Sequence, residues 1–372
     1  MSAESVSRNA ILHIGTEKTG STSIQNFLYR NQDPLRAQSV LFPKLCGFVS
    51  HHKLVISCQD EPDKNLARIS SADVSAEGYQ QWLNTFQLKH RIEIEKFHAA
   101  AGSHSTVIYS SEHFQSRVRK PNEMERLREF LAEMYDNITV IVYLRRQDKL
   151  AISAHNTQVQ GGLAKRFSFA NANPLGNYYN YLNLVSNWAS VFGKDKVNIR
   201  LFEKDKMHNG NVVEDFLIQS NIELNFPNMV VPSIENSHLS HTALELLMKF
   251  NEQYNGESSI NGIPEPRFRQ LLIRKLHEVK DEHGKLLPNR ALALSFYQQC
   301  EAMNKELFDT YLPGQGFDAS FSEYPEVDSA CPESPSDELL HELINAVTEK
   351  ENMKNKPLTT QAWNSIKQKY GT

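Results

Sequence analysis

Near the start of the chain, Gly15-Thr16-Glu17-Lys18-Thr19-Gly20-Ser21-Thr22-Ser23 gathers two glycines, five hydroxyl side chains and one lysine. Glycines let a backbone approach a ligand, and N–H groups turned towards one point bind an anion. Gly15 and Gly20 are spaced as in the nucleotide-triphosphatase loop, but that loop requires Lys-Ser/Thr directly after the second glycine. Here Ser21 and Thr22 follow Gly20, and the lysine stands two positions before it. A lysine inside the loop can reach a bridging oxygen that gains charge as a terminal group leaves, without a magnesium ion beside it. A second anion-binding set is Arg145 with Ser153: a guanidinium fork and a hydroxyl suit a phosphate monoester. An acceptor hydroxyl must also lose its proton in a group transfer, so a carboxylate or imidazole is required. Ser110-Ser111-Glu112-His113 and His51-His52 supply the candidates, Glu112 ranked first and His52 second.

The elements that must hold these groups are legible. Ala10 to Ile14 is a short apolar run, expected as a buried parallel strand, and Ile24, Phe27 and Leu28 then fall at helical spacing. Strand, small-residue loop and helix is the order of a phosphate-binding unit. Further strands are predicted at 106–109, 138–144 and 196–202, with helices at 122–135 and 178–192, the latter stopped by Gly193. Arg145 then falls at the C-terminal edge of a strand, where open parallel sheets bind ligands, and Ser153 in the helix that follows. Three more helices are expected at 239–254, 267–282 and 291–311. The fold class is α/β: a P-loop-type parallel sheet flanked by helices, with a helical C-terminal region.

With these motifs in place, HIGTEKTGSTSIQNFL resembles the 5'-phosphosulfate loop of sulfotransferases, the bacterial and carbohydrate branches most closely. The resemblance implies that the donor is 3'-phosphoadenosine 5'-phosphosulfate. It implies that Lys18 contacts the sulfo group and the leaving phosphate oxygen, and that Thr19, Gly20, Ser21, Thr22 and Ser23 wrap the 5'-phosphate. Arg145 and Ser153 match the family's 3'-phosphate motif, an arginine after the strand and a serine eight residues on. Ser110-Ser111-Glu112 is similar to a segment common in the bacterial members, and His51-His52 lies where several members place a catalytic Glu or His. The later Arg-Lys-Gly element of the cytosolic small-molecule branch is missing. Trp188, Phe192-Gly193, the strand NIRLFE and Asn236-Ser237-His238 resemble family landmarks and read as packing rather than chemistry. The resemblance covers 8–325, with a helical cap or acceptor region at 236–312, a linker at 326–337 and a helical tail at 338–372.

A net charge of -4 gives no global field for polyanions, so no nucleic-acid partner is expected. The four cysteines, Cys46, Cys58, Cys300 and Cys331, form no C-x-x-C pair, and neither a disulfide framework nor a metal site is expected. No secretory signal or run of membrane-spanning length is seen, which points to the cytoplasm. The resulting expectation is a sulfotransferase acting on a hydroxyl or amine, tilted by the resemblance towards a carbohydrate or glycolipid. Two rivals are an ATP-dependent P-loop phosphotransferase, disfavoured by the displaced lysine, and a catalytically inactive nucleotide-binding relative. Gln158 to Asn177, with Tyr178 and Tyr179, is an expected acceptor wall.

Overall fold

The computed structural model describes residues 7–75, 77–102, 104–223, 228–230, 239–279, 287–327 and 335–355. Asn236 to His238, Cys331, most of the expected linker and the tail beyond Asn355 lie outside the described residues. In chain order the first elements are β1 (Ser7–His13), α1 (Ser21–Arg30), α2 (Gln32–Ala37), β2 (Val40–Leu41), α3 (His52–Cys58), α4 (Lys64–Ser70) and α5 (Tyr79–Ala101). Next come β3 (His104–Ser110), α6 (His113–Arg117), α7 (Pro121–Ala132), β4 (Asn137–Leu144), α8 (Gln147–Gln160), α9 (Tyr181–Phe192), β5 (Val197–Leu201) and α10 (Val212–Gln219). The remainder is α11 (His241–Tyr254), β6 (Ser259–Ile260), β7 (Ile263–Pro264), α12 (Glu265–Leu276), α13 (Arg290–Gln298), α14 (Glu301–Tyr311) and α15 (Asp337–Asn355). The region expected as one helix over 291–311 is two, parted at Gln299 and Cys300.

The chain forms two compact units. The first draws on Met1–Ala151, Ala172–Glu235 and Leu292–Phe321, the second on Ile152–Asn171, Asn236–Ala291 and Ser322–Thr372. In the first unit five strands lie in the order β2-β3-β1-β4-β5, and every pairing is parallel. β1 is central, with Ile11 opposite Ile108 on one side and Thr139 on the other, and Ala10 to His13 are all buried, so both faces of its C-terminal half are covered. That explains the apolar run that starts at Ala10. The chain leaves β1 towards β2 and leaves β4 towards β5, so the order reverses between β1 and β4. The C-terminal ends of these two strands flank the crevice where open sheets hold ligands. Below it Ile24, Phe27 and Leu28 of α1 pack with Ile108, Ile141 and Phe216. Trp188 on α9 is fully buried and stacks on Phe192 at 5.3 Å, the packing role expected of both.

In the second unit β6 and β7 pair antiparallel, Ile260 opposite Ile263. Its core joins Leu244 and Phe250 of α11, Phe268 and Leu272 of α12, and Leu340 and Ile344 of α15.

Candidate functional site

The loop after β1 is an extension of the sheet that ends in a helix. Tyr143 N–H donates to the Gly15 carbonyl at 2.7 Å and Thr16 N–H to the Tyr143 carbonyl at 3.0 Å, so the β1–β4 ladder runs on into the loop. Thr16 is fully buried, and its carbonyl accepts from the hydroxyls of Thr19 at 2.6 Å and Ser21 at 3.2 Å. These two hydroxyls therefore spend their protons on the loop, leaving the backbone N–H groups and the exposed Thr22 and Ser23 hydroxyls to face a ligand. Gly20 caps α1 in the left-handed region at φ 80 with no side-chain cap, and the first turn carries no acidic residue. An uncapped helix N-terminus with its dipole unopposed favours an anion. A Cβ at Gly20 would lie 2.8 Å from Val212 Cγ1, so only glycine lets α1 start against α10.

Lys18 is half-buried at the turn of the loop. Burial pushes its ammonium pKa down, with the nearby Arg145 adding to this and the carboxylates of Glu17 and Glu112 opposing it. Arg145, at the end of β4, donates from Nη1 to the Lys18 carbonyl at 2.9 Å, and its guanidinium lies 5.7 Å over the Phe202 ring. Phe202 also borders Gly20, which sets Arg145 on the side of the loop where α1 begins. Tyr181 on α9 donates to the Arg145 carbonyl at 2.7 Å and fixes the backbone there. Arg146 has a different task. It is fully buried, grips the Asp148 carboxylate through two hydrogen bonds of 2.8 and 2.9 Å, and stacks on Phe321 at 3.7 Å.

Glu112 follows β3 at the start of α6. A Cβ at Gly15, where φ is 95, would come within 3.0 Å of Glu112 Cα, so the loop and the backbone that carries Glu112 are packed as closely as glycine permits. Gln25 on α1 donates to Glu112 Oε2 at 2.8 Å. Burial raises the Glu112 pKa, yet a backbone N–H, His113, Gln25 and His13 together outweigh it and hold the carboxyl below its ordinary value. These contacts favour the carboxylate form of Glu112.

The histidines divide. His51 is fully buried, its ring lies tilted against Phe42 at 4.3 Å, and its Nδ1 accepts from the Ser110 N–H at 3.1 Å. Burial, then His90 and His52, pull it down to about 3, so it is a neutral strut of β3 and not a surface group. His52, half-buried at the start of α3, has its ring 5.0 Å from that of His113. Burial and then His113 lower its pKa, against Glu112. His13, unremarked in the sequence, closes β1 beneath the loop: it is fully buried, pairs with Ser110 Oγ at 2.7 Å and is pulled down to about 4 by burial. A charged-capable residue at the last position of an apolar strand was the signal for it.

Tyr178 likewise joins the site from far along the chain. Its hydroxyl donates to Glu17 Oε2 at 2.9 Å, while Glu17 N–H donates to Gln115 Oε1 at 3.2 Å. Ser153 is buried within α8, among the residues of the second unit, and its carbonyl accepts from Thr157 Oγ1 at 3.3 Å. Lys18, Thr19 to Ser23, Arg145, Glu112 and His52 all belong to the first unit. Among the described residues no group of three or more His, Cys, Asp and Glu side chains could hold a metal ion, and no helix is long and apolar enough to cross a membrane.

No family model matches the sequence. An uncharacterized protein of Archaeoglobus fulgidus is 27% identical over 197 residues, 51% of this chain and 50% of that protein. The chain thus spans about half the length of the curated relative it matches. Among solved structures, the chain is similar to a sulfotransferase from Alicyclobacillus acidocaldarius, with a TM-score of 0.36, 16% identity, and coverage of 66% of this chain and 93% of that one. A sulfotransferase domain from the curacin biosynthetic pathway gives 0.29, 11% identity, and coverage of 59% and 74%. A sulfotransferase domain from the Synechococcus PCC 7002 olefin synthase gives 0.31, 12% identity, and coverage of 81% and 97%.

Proposed function

We propose that the protein is a sulfotransferase, moving a sulfo group from 3'-phosphoadenosine 5'-phosphosulfate to a hydroxyl or amine acceptor of carbohydrate or glycolipid type. The observation that carries this reading is the joining of Lys18 to Arg145 at one sheet edge, through the 2.9 Å bond from Arg145 to the Lys18 carbonyl. A donor with phosphate at both ends needs two cationic groups, and this bond holds the Arg145 guanidinium against the backbone that carries Lys18.

In this reading the amides from Thr19 to Ser23 hold the 5'-phosphate, Lys18 meets the oxygen that bridges phosphorus and sulfur, and Arg145 takes the 3'-phosphate. The acceptor oxygen forms a bond to sulfur as the bond from sulfur to the bridging oxygen breaks, and the electron pair leaves on adenosine 3',5'-bisphosphate. The acceptor proton passes to Glu112, whose Cα and Cβ pack against Gly15 and whose carboxyl is held below its ordinary value. Catalysis rests on positioning and on charge placed where it develops, as in phosphoryl transfer.

Calorimetry tests the donor. Adenosine 3',5'-bisphosphate is expected to bind and ATP with magnesium to bind far more weakly; the reverse order would overturn the reading in favour of a phosphotransferase. Nucleotide binding without transfer of a labelled sulfo group across a broad acceptor screen would leave a nucleotide-binding protein in its place.

A further inference from the structure

Lys18 holds its place in the loop in a backbone conformation that few residues other than glycine adopt, with φ at 63. Such a conformation persists only where the surroundings fix it. On the C-terminal side, Arg145 holds the Lys18 carbonyl at 2.9 Å. On the N-terminal side lies Glu17, gripped by two residues from distant segments. Gln115 on α6 accepts the Glu17 N–H through Oε1 at 3.2 Å, and the Tyr178 hydroxyl donates to Glu17 Oε2 at 2.9 Å. Gln115 Nε2 donates in turn to the Tyr178 carbonyl at 3.4 Å, which closes a ring of three residues. We infer that Tyr178 and Gln115 are positioning residues of the transfer reaction, a role that rests on the sulfotransferase reading above: they clamp Glu17 so that the turn presents Lys18 to the bridging oxygen.

The clamp stands on a fixed base. Gln115 is buried, and so is Tyr179 beside Tyr178. The Tyr179 ring meets Phe296 of α13 edge-on at 5.6 Å, and its carbonyl accepts from Gln147 Nε2 at 3.4 Å. Gln147, at the start of α8, exchanges hydrogen bonds of 2.7 and 3.1 Å with Asn304 of α14. Further back, the Pro174 carbonyl accepts from Cys300 Sγ at 3.5 Å. The stretch 174–179 is thus fastened along its length before Tyr178 reaches the loop, and all these residues belong to the first unit. Burial, then the Glu17 carboxylate, push the Tyr178 phenol pKa up, so the hydroxyl stays the donor at neutral pH. Removing that hydroxyl frees Glu17 and leaves the rest of the loop held, because the Thr19 and Ser21 hydroxyls still bond the Thr16 carbonyl. The effect therefore falls on the turn at Lys18 and not on the amides that follow it.

Two measurements test this. Amide hydrogen exchange at Glu17, followed by NMR, is expected to quicken roughly tenfold in Tyr178→Phe, the effect of losing one hydrogen bond to a charged group, with the unfolding midpoint near that of the wild type. Unchanged exchange overturns the clamp and does not depend on the sulfotransferase reading. In the second, transfer from radiolabelled 3'-phosphoadenosine 5'-phosphosulfate is followed to water or to an acceptor found in the screen above. Tyr178→Phe, and Gln115→Met likewise, should turn over roughly tenfold more slowly with KM for the donor little changed. Added to Lys18→Ala, Tyr178→Phe should lower the rate no further, because the hydroxyl acts through Lys18. A loss that adds in full to that of Lys18→Ala, or a rise in KM with turnover intact, is against the positioning role. Wild-type protein that binds no adenosine 3',5'-bisphosphate, or transfers to no acceptor and not to water, would instead sink the parent reading.

Discussion

Arg145 and Arg146 adjoin in sequence, and only their surroundings tell them apart. Arg146 has no exposed surface and its partner Asp148 has none, so its charge is committed to the fold. Removing one partner of a buried pair strands the other, and Arg146→Ala should cost about 3–5 kcal/mol in denaturant unfolding. Arg145 is half-buried and donates to the Lys18 carbonyl, and in the proposed reading it takes the 3'-phosphate. Arg145→Ala should keep the unfolding midpoint near that of the wild type and weaken adenosine 3',5'-bisphosphate binding by about 1.5–3 kcal/mol, the worth of a hydrogen bond to a charged group. Lys18→Ala separates the lysine's role from the arginine's. On the proposed reading its ammonium meets charge that develops on the bridging oxygen as the bond to sulfur breaks, so turnover should fall roughly 10²–10³-fold with affinity for the unreacted donor little changed. A large loss of affinity with turnover intact would assign Lys18 to ground-state binding.

At the scale of elements, the site depends on how β1, β3 and α3 are buttoned together beneath the loop. His13 and His51 do this as neutral imidazoles, one on Ser110 Oγ and one on the Ser110 N–H. Their folded values, about 4 and about 3, lie below the unfolded value of 6.5. The unfolded chain therefore binds more protons between these limits. The stabilisation is complete above pH 6.5 and is lost as pH falls towards 4 and then 3, by about 2.7 kcal/mol per pH unit near pH 5 if both contribute. Urea unfolding across this range checks the slope, and His51→Asn, which keeps an acceptor for the Ser110 N–H, should halve it. β1 was legible because its C-terminal half, buried on both faces, is an apolar run, and α9 because Gly193 stops it. Several elements escaped, β2 and α5 among them. β2 is only Val40 and Leu41, too short for any period. α5 turns Phe86, His90, Ile94 and His98 inward, so histidines satisfied by Tyr109 and Ser105 interrupt its apolar stripe. Lys18 and Arg145 were readable because each sits in a local motif. The His52–His113 and Glu17–Tyr178 contacts join distant segments and have no local signature.

For the whole molecule, the first unit holds the loop, Arg145 and Glu112, so a donor-site ligand should act on that unit's stability. A ligand that binds only the folded state adds about 2.7 kcal/mol at a hundredfold excess over its dissociation constant. Adenosine 3',5'-bisphosphate should supply this, and Gly20→Ala should remove it. A Cβ at Gly20 meets Val212 at 2.8 Å in a left-handed conformation, so α1 must shift and its first N–H groups no longer converge on the phosphate. On the proposed reading Lys18 meets the bridging oxygen with no magnesium ion beside it, so the ligand-induced shift in unfolding should be the same with a chelator present. Denaturant midpoints measured with and without nucleotide, each with and without chelator, decide the matter. A shift that needs a divalent ion would return the loop to the phosphotransferase class, and a shift that survives Gly20→Ala would move the phosphate site away from the start of α1.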